Sequence, residues 1–401
     1  MNNIDIVFII ICTIFVFFMT PGLALFYGGL VRRRNVVGIM EQCYVSIGVV
    51  SVLWAIWGFS IAFGADKCGI IGGGSFMFLR NVGVEANAGL VPNLPLVLFF
   101  VFQLVFAIIT PALIAGAVAE RMDFKAYCLF IGLWVLLVYS PIAHWVWGGG
   151  FLSKMGVIDF AGGLVIHLSA GISSLVAAIV LGARKRMDFT PCNMAYVSIG
   201  AGVLWAGWFA FNSGSALAAN AAASLAVCNT LLSSGAALCV WLAVSWVCCH
   251  RITLLDSLIG GIAGLVVITP MAGYVQPTLS LPVGAIGAVA CFFAIRAREK
   301  FGYDDTLDVW ALHGVGGALG VALAGLFADP TVAPAAGLLY GGSRQLLLQL
   351  TGVAAVAFYS VIATFIILKA INMVTKLRLS PEYEDIGIDA SIHKEALYYK
   401  D

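Results

Sequence analysis

The chain has 401 residues, of which 62% are hydrophobic and only 10% are charged, and its formal net charge is +1. Soluble domains carry roughly 25% charged residues, so a water-soluble fold of this length could not bury so much apolar surface. The composition therefore predicts a polytopic membrane protein, and the balanced charge gives no indication of nucleic-acid binding. The ten cysteines show no CxxC spacing, so we expect neither a disulfide framework nor a zinc site.

Eleven apolar runs are long enough to cross a bilayer as helices, which takes about 20 residues. The first run lacks a basic leader segment and continues past Pro21, so we expect a membrane helix there rather than a cleaved signal peptide. An all-α fold follows, because helices satisfy their own backbone hydrogen bonds in lipid. The predicted spans lie near residues 5–31, 38–63, 96–118, 127–147, 161–183, 192–211, 222–247, 255–271, 279–296, 309–328 and 347–371.

The basic residues fall mainly on one side of the predicted bundle. Seventeen of the 21 Lys and Arg lie in the loops that follow odd-numbered spans or in the carboxy-terminal segment, and four lie on the opposite side. Because cytoplasmic loops carry the excess of Lys and Arg, we expect the amino terminus outside. Residues 372–401 would then form a cytoplasmic tail.

Two histidines stand in similar apolar surroundings, in spans 5 and 10. Gly171 follows His167 by four residues, and Gly317 follows His313 by four residues. Five spans are an odd number, so spans 1–5 and 6–10 would form an inverted repeat, over about residues 1–185 and 190–328, with span 11 added at the end. Such repeats place a substrate site near the membrane midplane, where the two histidines would meet.

An ionisable side chain within a span is costly and usually faces the bundle interior. Two neutral imidazoles can satisfy each other, one donating and one accepting a hydrogen bond. From the residues alone, His167 and His313 are compatible with three arrangements. They could tie two helices together, line a polar pore, or ligate a metal or haem.

Aspartates 159 and 308 stand near the starts of spans 5 and 10, where a carboxylate typically caps a helix. Trp145 and Trp147 end span 4 on the outer side. Tryptophans at that depth often belong to the interfacial belt. The alternative is a cation–π site, worth about 2 kcal/mol or more when desolvated.

Several stretches in combination resemble the ammonium transporters of the Amt/Mep/Rh family, of bacterial or archaeal Amt type, over essentially the whole chain. They are PGLALFYGGLVRRRN, FQLVFAIITPALIAGAVAERM, SPIAHWVWGGGFL, DFAGGLVIHLSAG, WFAFNSGSAL, AGLVVITPMAGYV and DDTLDVWALHGVGGALG. The resemblance implies a multi-pass transporter of the cytoplasmic membrane, a homotrimer with one pore per protomer, no enzymatic activity and no cofactor.

The resemblance also implies roles for individual residues. Trp147, Phe106 and Ser215 would recruit ammonium on the outer side, with support from Asp159, which would also take part in deprotonation. Phe106 and Phe211 would form a gate below that site. His167 and His313 would line a narrow pore for ammonia as a twin-histidine pair.

Family members often bind a PII-type signalling protein at the cytoplasmic face, where the tail regulates transport. The tail departs from the family pattern at two points: the usual His-Gly-Glu step reads His393-Lys394-Glu395, and an alanine before the tyrosine is Leu397. We expect no fused signalling domain after residue 401. Because a membrane sensor would share the binding residues, an ammonium sensor with little flux is the alternative function.

Overall fold

The computed structural model describes residues 2–187 and 190–398. Within these ranges, eleven helices are long and apolar enough to cross a membrane, which confirms the predicted number of spans. Their ends lie close to the predicted ones. In α4 the continuous helix ends at Val146, and a short separate helix, Phe151–Met155, completes the range given for it. The helices are α1 (Asn3–Leu30), α2 (Arg33–Phe63), α3 (Leu96–Val118), α4 (Phe124–Met155), α5 (Gly163–Leu181), α6 (Met194–Gly214), α7 (Ala221–Cys249), α8 (Leu254–Met271), α9 (Pro277–Phe301), α10 (Trp310–Phe327) and α11 (Gln345–Val374).

We call the side at which α1 begins the outer side, following the predicted orientation, and the opposite side the inner side. The long outer loop between α2 and α3 contains two small antiparallel hairpins that the sequence did not predict. The first, which we call the outer hairpin, pairs β1 (Asp66–Lys67) with β2 (Ile71–Gly72). The second pairs β3 (Ala86–Asn87) with β4 (Val91–Pro95).

Among the described residues, four membrane helices contain a turn of π-helix. Two such turns lie at Trp54–Gly58 in α2 and Val135–Tyr139 in α4. The other two, Gly163–Leu168 in α5 and Trp310–Val315 in α10, contain His167 and His313. A π turn widens the helix locally and often marks a functional position, so both histidines lie in the same kind of local structure.

Helices α5 and α10 cross in close contact, and glycine makes the crossing possible. A Cβ atom on Gly171 would lie 2.1 Å from the backbone nitrogen of Gly314, and one on Gly317 would lie 2.9 Å from the Gly163 carbonyl oxygen. Small residues allow this approach between membrane helices. The glycines that follow the two histidines thus hold the histidine-bearing turns together. The inverted repeat that suggested this pairing stays a prediction.

A buried cluster of charges joins the inner loops. Glu120 pairs with Arg32 at 2.7 Å and with Arg184 at 3.1 Å, and Arg184 also pairs with Asp304 at 2.8 Å. Burial opposes ionisation of Asp304, but the hydrogen bond from Arg184 and the charge of Arg121 hold its pKa below the usual value. Buried charges are stable only when paired in this way. The cluster connects the loops after α1, α3, α5 and α9.

The segment after α11 packs against the same inner loops. It contains a short helix, α12 (Pro381–Ile386). The Glu384 carboxylate accepts hydrogen bonds from Arg378 at 2.8 Å and from the backbone N–H of Lys185 at 2.6 Å. Asp389 accepts one from the backbone N–H of Gly38 at 2.8 Å. Lys394 has a φ of +59°, a conformation that costs an L-residue about 1–2 kcal/mol.

Substituting Gly171 with Ala should destabilise the protein, because the new Cβ would meet the Gly314 backbone at 2.1 Å. Overpacking of this kind typically costs about 1–3 kcal/mol. We expect a lower midpoint of thermal unfolding in detergent, followed by intrinsic fluorescence. Gly202→Ala is the matched control, since no atom lies within 4 Å of its added Cβ. Equal midpoints for the two variants would contradict the close crossing.

Candidate functional site

The two histidine rings meet at the centre of the bundle. His313 Nδ1 lies 3.2 Å from His167 Nδ1, and both side chains are buried. One Nδ1 must donate and the other must accept, so at least one ring is deprotonated at that atom. His167 Nε2 is buried and has no hydrogen-bond partner among the described residues. The pair therefore satisfies half of its own hydrogen-bonding capacity and leaves the remainder for another molecule.

Aromatic rings support the histidine pair from one side. The His167 ring stacks on Trp208 with centroids 5.4 Å apart and lies 6.1 Å from Phe211. Trp208 is held in turn, because its indole N–H donates to Thr269 Oγ1 at 2.9 Å. The orientation of His167 is thus fixed by packing as well as by its hydrogen bond.

A narrow cavity of about 30 Å³ contains the histidine pair. Both rings line it together with apolar side chains from several helices, including Leu23, Leu113 and Leu204. A single water needs about 10–15 Å³ on this measure, so the space accommodates one or two small molecules. We call this cavity the pore.

A larger cavity of about 260 Å³ opens on the outer side. Trp147, Phe106 and Ser215, the three residues expected at a recruitment site, all line it. The Trp147 and Phe106 rings meet edge to face at 6.4 Å. The Ser215 hydroxyl donates to the Phe211 carbonyl at 2.9 Å, which leaves its lone pairs free to accept a hydrogen bond. We call this space the outer cavity.

Phe106 and Phe211 separate the outer cavity from the pore. Phe106 lines the outer cavity and Phe211 lines the pore. Their rings are stacked with centroids 4.4 Å apart at an interplanar angle of 26°. The stack therefore forms the partition between the two spaces, which is where a gate was expected.

Asp159 is engaged at the start of α5. Its carboxylate accepts hydrogen bonds from the backbone N–H groups of Gly162, Gly163, Leu164 and Val165, at 2.7 to 3.3 Å. Burial raises the pKa of this carboxyl, while the four N–H groups act in the opposite direction. Its link to the outer cavity runs through its main-chain oxygen, which accepts from the Trp147 indole at 2.9 Å. The expected capping role is thus confirmed for Asp159.

The expected capping role is wrong for Asp308. The side chain that accepts from the first turn of α10 is Asp305, which bonds to the Trp310 N–H at 2.7 Å. Asp308 instead has a φ of +58° and pairs with Arg298 at 2.6 Å. A carboxylate three residues earlier reaches the helix because the chain turns before α10 begins.

An inner cavity of about 330 Å³ lies beyond the pore. Phe26, Leu307 and Leu312 line both spaces, so they form the inner boundary of the pore. Arg298 and Asp308 are among the charged residues of the inner cavity. The outer cavity, the pore and the inner cavity therefore follow one another across the bundle.

Sequence reasoning missed several residues of this path. Trp208 was passed over as an apolar residue, although it precedes the expected gate residue Phe211 by about one helical turn and so shares its face. Gln103 lines the outer cavity and has a buried amide oxygen with no partner among the described residues. It precedes Phe106 by three residues, so helical spacing again places it on the same helix face as an expected site residue.

The geometry of the histidines bears on the metal and haem alternative. Metal–nitrogen bonds are about 2 Å long, so two imidazoles that ligate a haem iron from opposite sides would hold their nitrogens about 4 Å apart. The observed 3.2 Å is a hydrogen-bond distance. Among the described residues, no group of three or more His, Cys, Asp or Glu is arranged to hold a metal ion.

Eleven membrane helices around a narrow, closed path between two cavities define a membrane protein of the channel and transporter class. A family model described as the Ammonium Transporter Family matches residues 7–398. The ammonium transporter of Bacillus subtilis (strain 168) is 44% identical over 398 residues, which are 98% of this chain and 98% of the relative. The chain belongs to the ammonium transporter family, whose members are transporters and not enzymes, and it is a multi-pass protein of the plasma membrane.

Solved structures agree with this assignment. The crystal structure of Candida albicans Mep2 superposes with a TM-score of 0.90 at 33% identity, covering 95% of this chain and 87% of that chain. A structure described as a sensor Amt protein superposes with a TM-score of 0.90 at 28% identity, covering 97% of this chain and 98% of that chain. The fold is therefore shared by transporters and by a sensor.

Asp159→Asn should destabilise the protein more than the same change at another helix cap. Asn retains a side-chain oxygen but loses the charge that accepts four backbone hydrogen bonds, and bonds to a charged group are worth about 1.5–3 kcal/mol each. Asp123→Asn is the control, because Asp123 caps α4 with two such bonds in a more exposed place. Thermal unfolding in detergent measures both, and equal shifts would contradict the special role of the buried cap.

Proposed function

We propose that the protein transports ammonium across the membrane by recruiting the cation in the outer cavity, removing its proton and passing ammonia through the pore. One observation carries the proposal: an apolar, histidine-lined pore of about 30 Å³ lies between two larger cavities, closed on the outer side by a stacked phenylalanine pair. The names of the relatives, which are ammonium transporters, support the choice of substrate.

Recruitment would use the faces and lone pairs of the outer cavity. Trp147 and Phe106 offer aromatic surface to a small cation, and a desolvated cation–π contact is worth about 2 kcal/mol. The Ser215 oxygen can accept a hydrogen bond from an ammonium N–H, because its own hydrogen is engaged with the Phe211 carbonyl. Asp159 would act through its main-chain bond to Trp147, which fixes the indole.

Deprotonation would follow from the cost of carrying a charge into the pore. A cation without its hydration shell is strongly disfavoured in an apolar space, and burial lowers the pKa of an ammonium group. The side chains that line the pore are apolar apart from the two histidines, the Tyr27 hydroxyl and the Trp208 indole N–H. The hydroxyl donates to the Leu113 carbonyl and the indole N–H donates to Thr269. Ammonium can lose a proton to give neutral ammonia, which still forms hydrogen bonds, whereas sodium and potassium have no neutral form.

The histidine pair would serve the neutral molecule. Ammonia has three N–H donors and one lone pair, so it can bond both to an imidazole nitrogen that accepts and to one that donates. The unpartnered Nε2 of His167 is one such atom. The same pair provides a route by which the released proton can cross separately from ammonia.

Currents across proteoliposome membranes after an ammonium jump test this proposal. We expect a saturable response that sodium and potassium jumps do not produce. His167→Ala should abolish it or remove its selectivity, because the hydrogen-bonding pair is lost. If no current appears, a change of internal pH on the same jump would show electroneutral conduction of ammonia. A variant with wild-type flux and selectivity would refute the role of the pair.

Trp147→Leu should weaken recruitment without blocking the pore. Leu keeps the site apolar but removes the aromatic face, so we expect the half-saturating ammonium concentration to rise roughly tenfold, the equivalent of about 1–2 kcal/mol. The maximal rate should change little. Trp246→Leu is the matched control, since Trp246 is exposed near the inner end of α7, away from the outer cavity. An unchanged concentration dependence for Trp147→Leu would assign Trp147 to the interfacial belt.

The second candidate is an ammonium sensor with little flux, and the likeness to a sensor Amt protein favours it. A sensor would bind ammonium in the same outer cavity, so the residues do not separate the two functions. Saturable ammonium binding together with the absence of both current and internal pH change would identify the sensor. Flux that saturates over the same concentrations as binding would identify the transporter.

Assembly and regulation complete the proposal. The outer half of α1 exposes a continuous apolar surface, including Ile10, Ile14 and Phe18, which would face lipid or a neighbouring protomer of a homotrimer. A PII-type protein would dock on the inner side, where the tail lies against the start of α2 and the loop after α5. The left-handed Lys394 stands where the family usually has glycine, so the end of this tail carries backbone strain that a glycine would relieve.

A further inference from the structure

His144 is a fully buried histidine that the proposed transport path does not use. It lies in α4, one turn before Trp147, and its side chain is 0% exposed. Nδ1 lies 2.9 Å from the main-chain oxygen of Ala62, and Nε2 lies 2.8 Å from Oδ1 of Asp66. Both ring nitrogens therefore have a partner.

Both of these partners are acceptors. A main-chain carbonyl has no hydrogen to donate. The Asp66 carboxyl accepts hydrogen bonds from two other donors, the Lys154 ammonium and the Gly69 backbone N–H, which stabilise its ionised form. A neutral imidazole carries a hydrogen on only one nitrogen, so it would turn a lone pair toward one of the two oxygens. The geometry thus requires hydrogens on both nitrogens, which makes the ring an imidazolium.

The two bonds join three separate parts of the outer side. Ala62 lies at the end of α2 and directly precedes Phe63, which lines the outer cavity. Asp66 begins the outer hairpin. His144 belongs to the turn of α4 that leads to Trp147, on another wall of the same cavity. The ring therefore links α2, which carries Phe63, to α4, which carries Trp147, and so connects two walls of the outer cavity.

At position 148, the end of α2 and α4 lie too close together for any residue other than glycine. A Cβ atom on Gly148 would lie 2.0 Å from the Ala62 oxygen and 2.7 Å from His144 Nδ1. The outer hairpin also contacts the end of α4 through two further bonds, from the Trp145 indole to the Ile70 carbonyl and from the Phe151 N–H to the Gly69 carbonyl. His144 is thus the charged centre of a tightly packed junction.

We propose that His144 is a positioning residue for the outer cavity: as an imidazolium it clamps the end of α2 and the outer hairpin to α4, and so fixes the separation of the Phe63 and Trp147 walls. The inference rests on the proposed function of that cavity as the ammonium recruitment site. His144 itself does not line the outer cavity among the described residues, so its effect is exerted through Phe63 and Trp147.

Three substitutions separate the two bonds of the ring. The amide of Asn can replace Nδ1 and keep the bond to Ala62, the amide of Gln can replace Nε2 and keep the bond to Asp66, and Ala keeps neither. We expect His144→Ala to raise the half-saturating ammonium concentration roughly three- to tenfold, by loosening part of a cation–π site, with the maximal rate retained. His144→Asn should restore most of the affinity, because Ala62 carries the Phe63 wall, and His144→Gln should not.

Hydrogen–deuterium exchange of residues 64–73 measures the clamp directly. Exchange should be faster in His144→Ala than in the wild type. It should also be faster in Asp66→Asn, which keeps the histidine but removes its charged partner. The Asp66 variant replaces the alanine variant in this test if the latter does not fold. His250→Asn is the matched control, because His250 is exposed at the inner end of α7 and should change neither exchange nor affinity. Unchanged exchange, or faster exchange with unchanged affinity, would overturn the proposal.

Affinity should be read both as ammonium binding and as transport, so that a chain that binds without flux still tests the clamp. If the wild-type chain binds ammonium and all three His144 variants bind it with the same affinity, this inference is overturned and the proposed function stands. A wild-type chain with neither binding nor flux would overturn the proposed function, and this inference with it.

Discussion

The structure depends on one constraint: two imidazole rings are placed in the apolar centre of a membrane protein and must satisfy each other. The Nδ1–Nδ1 contact of 3.2 Å is possible only because α5 and α10 cross at glycines, where any side chain would meet backbone atoms. The same approach narrows the pore to about 30 Å³ and places His167 against Trp208. Helix packing, hydrogen bonding and the width of the path are therefore consequences of a single contact.

Charge is distributed around this centre in a way that suits the proposed substrate. On the inner side, Glu120, Arg184 and Asp304 are buried but paired, and on the outer side Asp66 and His144 form another pair. Between them, the described lining of the pore has no Asp, Glu, Lys or Arg. A charged solute finds compensating groups near either end of the path but not in the middle, where removing it from water is most costly.

Much of this arrangement could be predicted from sequence, and the failures have physical causes. Hydrophobicity alone located the eleven spans, since each must match the bilayer thickness, and two histidines with the same glycine spacing indicated the pair. The residues expected at the outer cavity came from the family resemblance. Three features could not be predicted in this way: the two hairpins of the outer loop, the capping by Asp305 and the clamp at His144. They depend on how the chain turns and on which segments come into contact. Trp208 was missed because an apolar-run argument treats every large side chain in a span alike.

The hydrogen bond between the histidines also gives the path a direction. In a neutral pair, the ring that donates from Nδ1 presents a bare Nε2, and the ring that accepts at Nδ1 carries its hydrogen on Nε2. Two residues of the same type therefore expose opposite hydrogen-bonding characters to whatever lies between them and the ends of the pore. The polarity reverses when three steps are complete: a proton binds at the bare Nε2, the shared hydrogen crosses the 3.2 Å contact, and the other ring releases its Nε2 hydrogen. A proton relayed through the pair would leave it inverted, so the rings must reset before the next proton can pass the same way.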